Sequence, residues 1–136
     1  MAKTFLLEII ASDRVFFTGQ CESLIFPGMD GERGVLANHE RTVTCINAGE
    51  VKYKIDGEWH YAAISDGYAE VSGDHVVIIA DTVEKPEEID VKRAEEAKIR
   101  AEERLRQKQS IMEYYHTQVA LNKAMNRLKV NQRHLK

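Results

Sequence analysis

Glu84-Lys85-Pro86-Glu87-Glu88-Ile89-Asp90-Val91-Lys92-Arg93-Ala94 divides the chain into two unlike halves. Before it, short alternating apolar runs are punctuated by glycine, the pattern of strands and turns. After Pro86 neither glycine nor proline occurs to the end, and the period becomes helical. Asp90 stands where a helix N-cap belongs, its carboxylate placed to accept from the free N–H groups of the first turn. Arg93 and Ala94 lie in that turn. A carboxylate and an arginine together at such a hinge mark a place where a ligand can control geometry.

Upstream, Thr4 to Ala11 reads as a strand with Phe5, Leu7 and Ile9 on one face and Leu6 and Ile10 on the other. Both faces are largely apolar, so the strand is expected to be covered on both sides. Val15–Thr18 and Glu22–Phe26 read as two short strands broken at Gly19, and Pro27 to Gly34 as a glycine-rich loop. That loop lacks Gly-Lys-Ser/Thr and no helix follows it, so it is not a phosphate-binding P-loop. Ala37 to Arg41 reads as a turn and Thr42 to Ile46 as a β-branched strand. The clearest local signal is Val51, Tyr53 and Ile55, then Asp56-Gly57, then Trp59, Tyr61 and Ala63. Asp-Gly between alternating runs specifies a hairpin with a type I′ turn, because both turn residues need positive φ. A second hairpin is expected around Ser72-Gly73-Asp74. Many short strands with glycine turns imply a sandwich or flattened barrel.

Downstream of Asp90, Ala94, Ala97, Ala101 and Leu105 recur at steps of three and four, a narrow stripe that admits a close helical neighbour. Gln107-Lys108-Gln109 ends the pattern, and Ser110-Ile111-Met112-Glu113 is a capping box that starts a second helix. Leu121, Ala124, Met125 and Leu128 supply its stripe. Two helices with a short link predict an antiparallel hairpin. With such thin stripes, its docking is expected to be marginal and switchable.

Composition excludes several function classes. The longest apolar run is Val76 to Ala80, so no segment spans a membrane. The opening Met-Ala-Lys-Thr runs into a strand pattern interrupted by Glu8, which does not read as a signal peptide. Cys21 and Cys45 have no metal or redox spacing and are expected to be reduced core thiols of a cytosolic protein. Residues 1–83 carry a balance of −7 and residues 114–136 one of +5, within a net −3. A basic terminal helix of that density suits an acidic partner or the chain's own body better than nucleic acid. None of His39, His60, His75, His116 and His134 pairs with another ligand at metal spacing, and no nucleophile–base pair occurs, so neither metal site nor catalytic residue is expected.

One polar set remains. Asp90, Arg93 and Arg100 fall on the first helix; Lys123 and Arg127, at i and i+4, share a face of the second. An antiparallel hairpin brings the end of the second helix back to the start of the first. The cations then converge near Glu84 and Asp90, where a polyphosphate can bridge them through charge-assisted hydrogen bonds. On residue types alone a salt-bridged solvated face is the simpler account, and only a family resemblance overturns it.

Four segments carry a resemblance. Gly31-Glu32-Arg33-Gly34-Val35-Leu36 with His39, Ser65-Asp66-Gly67-Tyr68-Ala69-Glu70-Val71, Ile89-Asp90-Val91-Lys92-Arg93-Ala94, and Ala124-Met125-Asn126-Arg127-Leu128 resemble the epsilon-subunit family of bacterial F-type ATP synthases, in order and over nearly the full length. The resemblance implies an α+β fold, a ten-stranded β-sandwich followed by a C-terminal antiparallel two-helix hairpin, with domains at 1–83 and 84–136. It implies a non-catalytic rotor subunit that couples ion translocation to ATP synthesis. Its partners are the gamma subunit, the membrane rotor ring through Glu32 and His39, and the catalytic alpha/beta head through extended helices that inhibit hydrolysis. It places the chain peripherally at the cytoplasmic face of the bacterial membrane. No cofactor is required; ATP is implied as a regulatory ligand of Glu84, Asp90, Arg93, Ala94, Arg100, Lys123 and Arg127. Lys123 departs from the arginine of nucleotide-sensing members, keeping the charge and losing the planar fork. Asn38-His39-Glu40-Arg41 departs from the family's usual glycine before the histidine and Ala-Pro after it. The alternative function is a free-standing sensor whose hairpin closes on ATP.

Overall fold

The computed structural model describes residues 3–107 and 110–135. The chain divides into two compact units, Met1–Lys85 and Pro86–Lys136. The first unit is a 10-stranded sheet. Its strands are β1 (Phe5–Ala11), β2 (Val15–Cys21), β3 (Ser23–Gly28), β4 (Gly31–Leu36), β5 (His39–Ile46), β6 (Gly49–Ile55), β7 (Glu58–Ile64), β8 (Gly67–Gly73), β9 (His75–Ala80) and β10 (Val83–Glu84).

Strand order is β10-β7-β6-β3-β5-β8-β9-β1-β2, with β4 attached to β3 outside that path. All pairings are antiparallel except β1 with β9, which is parallel from Leu6↔His75 to Ala11↔Ala80. The sheet wraps on itself as a sandwich, because one face of every strand feeds a single core. Phe5, Leu7 and Ile9 meet Leu24, Phe26, Ile46, Val51, Val71, Val76 and Ile78 in one cluster. Alternation along each strand supplies this inward set.

The Asp56-Gly57 turn forms as the sequence requires, with φ of +49° and +80°, and joins β6 to β7 in the register Ile55↔Glu58. Three other readings change. Pro27 to Gly34 is no loop: β3 and β4 pair from Ser23↔Leu36 to Gly28↔Gly31 around a turn at Met29-Asp30. Gly19 does not break β2, which runs through it opposite Leu7. Only Cys21 is a core thiol; Cys45 is exposed. Burial pushes the Cys21 thiol up to about 12, which keeps it protonated and inert.

In the second unit, a 3-10 turn at Pro86–Glu88 leads to α1 (Val91–Leu105) and α2 (Ile111–His134). Asp90 Oδ1 accepts from the Arg93 N–H at 3.0 Å, and Ser110 Oγ accepts from the Glu113 N–H at 3.1 Å. Both helices therefore start at the caps read from the sequence. Of the expected break at Gln107-Lys108-Gln109, residues 108–109 lie outside the described residues.

Among the glycines, Gly67 has the closest backbone neighbour. A Cβ there would strike the Ile79 carbonyl oxygen and lie 2.7 Å from the Ala80 Cα. Backbone cannot swing aside as a side chain can. Gly67→Ala should therefore destabilise the sandwich by about 3 kcal/mol, read as a lowered urea midpoint. Gly34→Ala, whose Cβ meets nothing within 4 Å, should shift stability by less than about 0.5 kcal/mol.

Candidate functional site

The hairpin's geometry follows from its small residues. Ala97, Ala101, Ala120 and Thr117 line one cleft of 300 Å³ with Arg100 and His116. Asn131 Nδ2 donates to the Pro86 carbonyl at 3.3 Å. The end of α1 thus meets the start of α2, and the end of α2 meets the turn before α1. The helices are antiparallel.

That register sorts the candidate ligand residues. The pairing that sets Ala101 beside Thr117 carries the buried Ala94 to the level of the buried Ala124. Arg93, Lys123 and Arg127 fall at that same level. Arg93 is exposed, and Lys123 and Arg127 are partly buried and already engaged in interactions. Arg100 lies seven residues beyond Arg93, about 10 Å along the axis at 1.5 Å per residue. It sits beside Arg104, Glu113 and His116 at the cleft, so only its extended side chain approaches the other cations. Asp90 is committed through Oδ1 to its cap. Glu84 belongs to the sandwich unit, on β10 opposite Ala63.

At the sandwich's β4–β5 end, Glu32 and His39 both line a cleft of 610 Å³ whose apolar lining comes from Phe26, Val35 and Val71. His39 Nδ1 donates to the Glu40 carbonyl at 2.8 Å. Lys52, absent from the sequence reading, is the residue that holds Glu32: its Nζ stands 3.6 Å from Glu32 Oε1 and 3.9 Å from Glu50 Oε1. The Glu50 side chain is only 7% exposed. The pairing reaches across β3, since Lys52 lies opposite Ile25 on one edge of that strand and Glu32 opposite Pro27 on the other.

A second feature escaped the sequence reading. Cys45, Tyr68, Ile79, Ile10 and Val15 are successive cross-strand neighbours over β5, β8, β9, β1 and β2. The row faces outward; Val15 is 64% exposed, Tyr68 47% and Ile79 37%. Val43, on the same face of β5, is 69% exposed. The second apolar face of β1 was expected to be covered; within the described chain Leu6 and Ile10 remain partly accessible. A contiguous, partly exposed apolar row across five strands is the mark of a protein interface.

Comparison with known proteins matches two family models. Residues 4–86 match the beta-sandwich domain of the ATP synthase Delta/Epsilon chain, and residues 87–132 its long alpha-helix domain. The chain is 47% identical over 130 residues to the ATP synthase epsilon chain of Ruminiclostridium cellulolyticum, covering 96% of this chain and 97% of that one. It is 45% identical over 126 residues to the ATP synthase epsilon chain of Caldicellulosiruptor bescii, covering 93% and 92%. Among solved structures, the fold resembles a chain of the Euglena gracilis mitochondrial ATP synthase with a TM-score of 0.79 at 23% identity, covering 98% of this chain and 82% of that one.

The cap and the ligand roles of Asp90 are separable. Asp90→Ala should cost the hairpin about 1 kcal/mol, seen as faster amide exchange at Arg93 and lower helicity. Asp90→Ser keeps a capping oxygen and should restore both, while removing the carboxylate from any ligand.

Proposed function

The chain belongs to the epsilon-chain family of ATP synthases and is a non-catalytic subunit of that machine; from that premise, we propose how its two units act. The sandwich docks on the gamma subunit through the outward apolar row, and its β4–β5 end meets the membrane rotor ring through Glu32 and His39. The chain so held couples ion flow to ATP synthesis at the cytoplasmic face of the membrane. The hairpin is the regulatory element. Extended, it carries the basic end of α2 into the alpha/beta head and inhibits hydrolysis; folded, it releases the head.

The observation that carries the docking half is the row Cys45–Tyr68–Ile79–Ile10–Val15, which the registers place in one line. A free-standing ATP sensor gives no use to this row. The regulatory half is supported by the antiparallel register. Arg93, Lys123 and Arg127 share one level only while α1 and α2 are folded together. ATP phosphates bridging them favour the folded state, because a ligand shifts an equilibrium by its difference in affinity for the two states. At ten times its dissociation constant, ATP stabilises the folded hairpin by about 1.4 kcal/mol. Arg100 reaches the phosphates from one side, and Asp90 Oδ2 is the oxygen left to hold Arg93 or the nucleotide.

Calorimetry on the purified chain tests the ligand. Arg93→Ala should weaken ATP binding at least tenfold, and Lys123→Arg should strengthen it by restoring the bidentate fork. Absence of heat at millimolar ATP in the unmodified chain sinks the switch. Removing residues 86–136 should raise ATP hydrolysis by the assembled synthase without impairing assembly; unchanged hydrolysis sinks the inhibitory role.

A further inference from the structure

The cleft between β4 and β5 is walled by two bare strand edges. Pro27 has no amide hydrogen, and its carbonyl accepts from the Asn47 N–H at 3.0 Å. Its backbone therefore points away from β4. Backbone direction alternates along an antiparallel pair. Phe26 and Leu24 thus exchange hydrogen bonds with their partners Arg33 and Val35, while Glu32, Gly34 and Leu36 turn their N–H and C=O groups outward. Among the described residues β4 pairs with β3 alone. On the far wall, β5 pairs with β8 along one edge and touches β3 only at Gly28↔Ile46. Among the described residues its edge from His39 to Thr44 carries no strand.

We infer that this slot receives an extended loop segment of the membrane rotor ring, added to the sheet as a strand along β4. The chemistry of the walls selects the occupant. Outward N–H and C=O groups repeating every second residue match an extended main chain and no globular side-chain surface. From Glu32 to Leu36 the edge runs about 13 Å at 3.3 Å per residue, enough for a partner strand of about five residues. Phe26, Val35 and Val71 lie in the cleft lining, so the incoming segment presents an apolar residue at alternate positions. Glu32 is drawn toward Lys52. Glu32 and Arg33, charged and exposed on β4, discourage indiscriminate pairing of the edge with other copies of itself. The inference rests on the reading that this end meets the rotor ring, and it names the mode of contact.

Amide exchange read residue by residue in the free chain and in the assembled synthase tests it. In the free chain Glu32, Gly34 and Leu36 should exchange fast and Arg33 and Val35 slowly. In the complex the first three should slow at least tenfold, giving protection along the whole strand. Unchanged exchange at those three amides overturns the proposal. Gly34→Pro removes one outward N–H and spares the β3 ladder; it should weaken binding to epsilon-depleted synthase about fivefold, whereas Gly34→Ala should bind as the parent does. Equal binding of all three also overturns it. Slow exchange at Arg33 and Val35 in both variants certifies the fold. Cross-linking from Glu32→Cys in a Cys45→Ser background separates the two readings. Cross-links to the ring without new protection defeat strand addition alone. New protection with cross-links only to stator subunits defeats the ring assignment alone.

Discussion

The sandwich depends on the parallel pairing of β1 with β9, which ties Leu6–Ala11 to His75–Ala80. A parallel pair cannot be closed by a tight turn; here the intervening chain supplies the seven strands between. Closure costs the entropy of a long loop, and the reward is a core fed from both partners. Leu7, Ile9 and Ala11 face it together with Val76, Ile78 and Ala80. The same register turns Leu6, Glu8 and Ile10 outward beside His75, Val77 and Ile79, and Glu8 Oε2 meets His75 Nε2 at 3.5 Å. One pairing thus sets both the core and the outward apolar row. It also explains Gly67, whose strand β8 presses on β9 where β9 is fixed from its other side.

Much of this was legible where local chemistry decides. Asp56-Gly57 specifies its turn because few residue pairs tolerate positive φ, and Asp90 and Ser110 specify helix starts through the first-turn N–H groups they satisfy. Legibility ended where pairing partners decide. Pro27-Gly28 to Gly34 has the composition of a loop, yet it forms β3 and β4, because Pro27 needs only its carbonyl on one side and Gly31 adopts φ of +116° after the turn. The second face of β1 reads as buried because apolar alternation is blind to whether the covering layer belongs to the same chain. Lys52 could not be named as Glu32's partner without the β3–β6 register. On the hairpin, residue types grouped Arg100 with Arg93, Lys123 and Arg127; only the antiparallel register shows it a turn and more away.

The two units differ in what holds them. Every strand of the sandwich feeds one core, but the buried residues of α1 and α2 are Ala94, Ala101, Thr117, Ala124, Leu128 and Val130. Four of these six are alanine or threonine, and a buried methyl or methylene contributes only about 0.8 kcal/mol. Meanwhile Ile111, Met112, Tyr114 and Tyr115 at the start of α2 are exposed. The folded hairpin therefore buries little and leaves large apolar side chains in water. A partner surface that covers them offers the extended state an area gain that the folded state lacks. The folded state has instead the shared level of Arg93, Lys123 and Arg127, the last two already engaged in interactions there. The folded hairpin is thus held by small contacts, and its exposed apolar residues favour an outside surface that covers them. Under the proposed switch, a ligand contribution of about 1.4 kcal/mol is set against that small buried area.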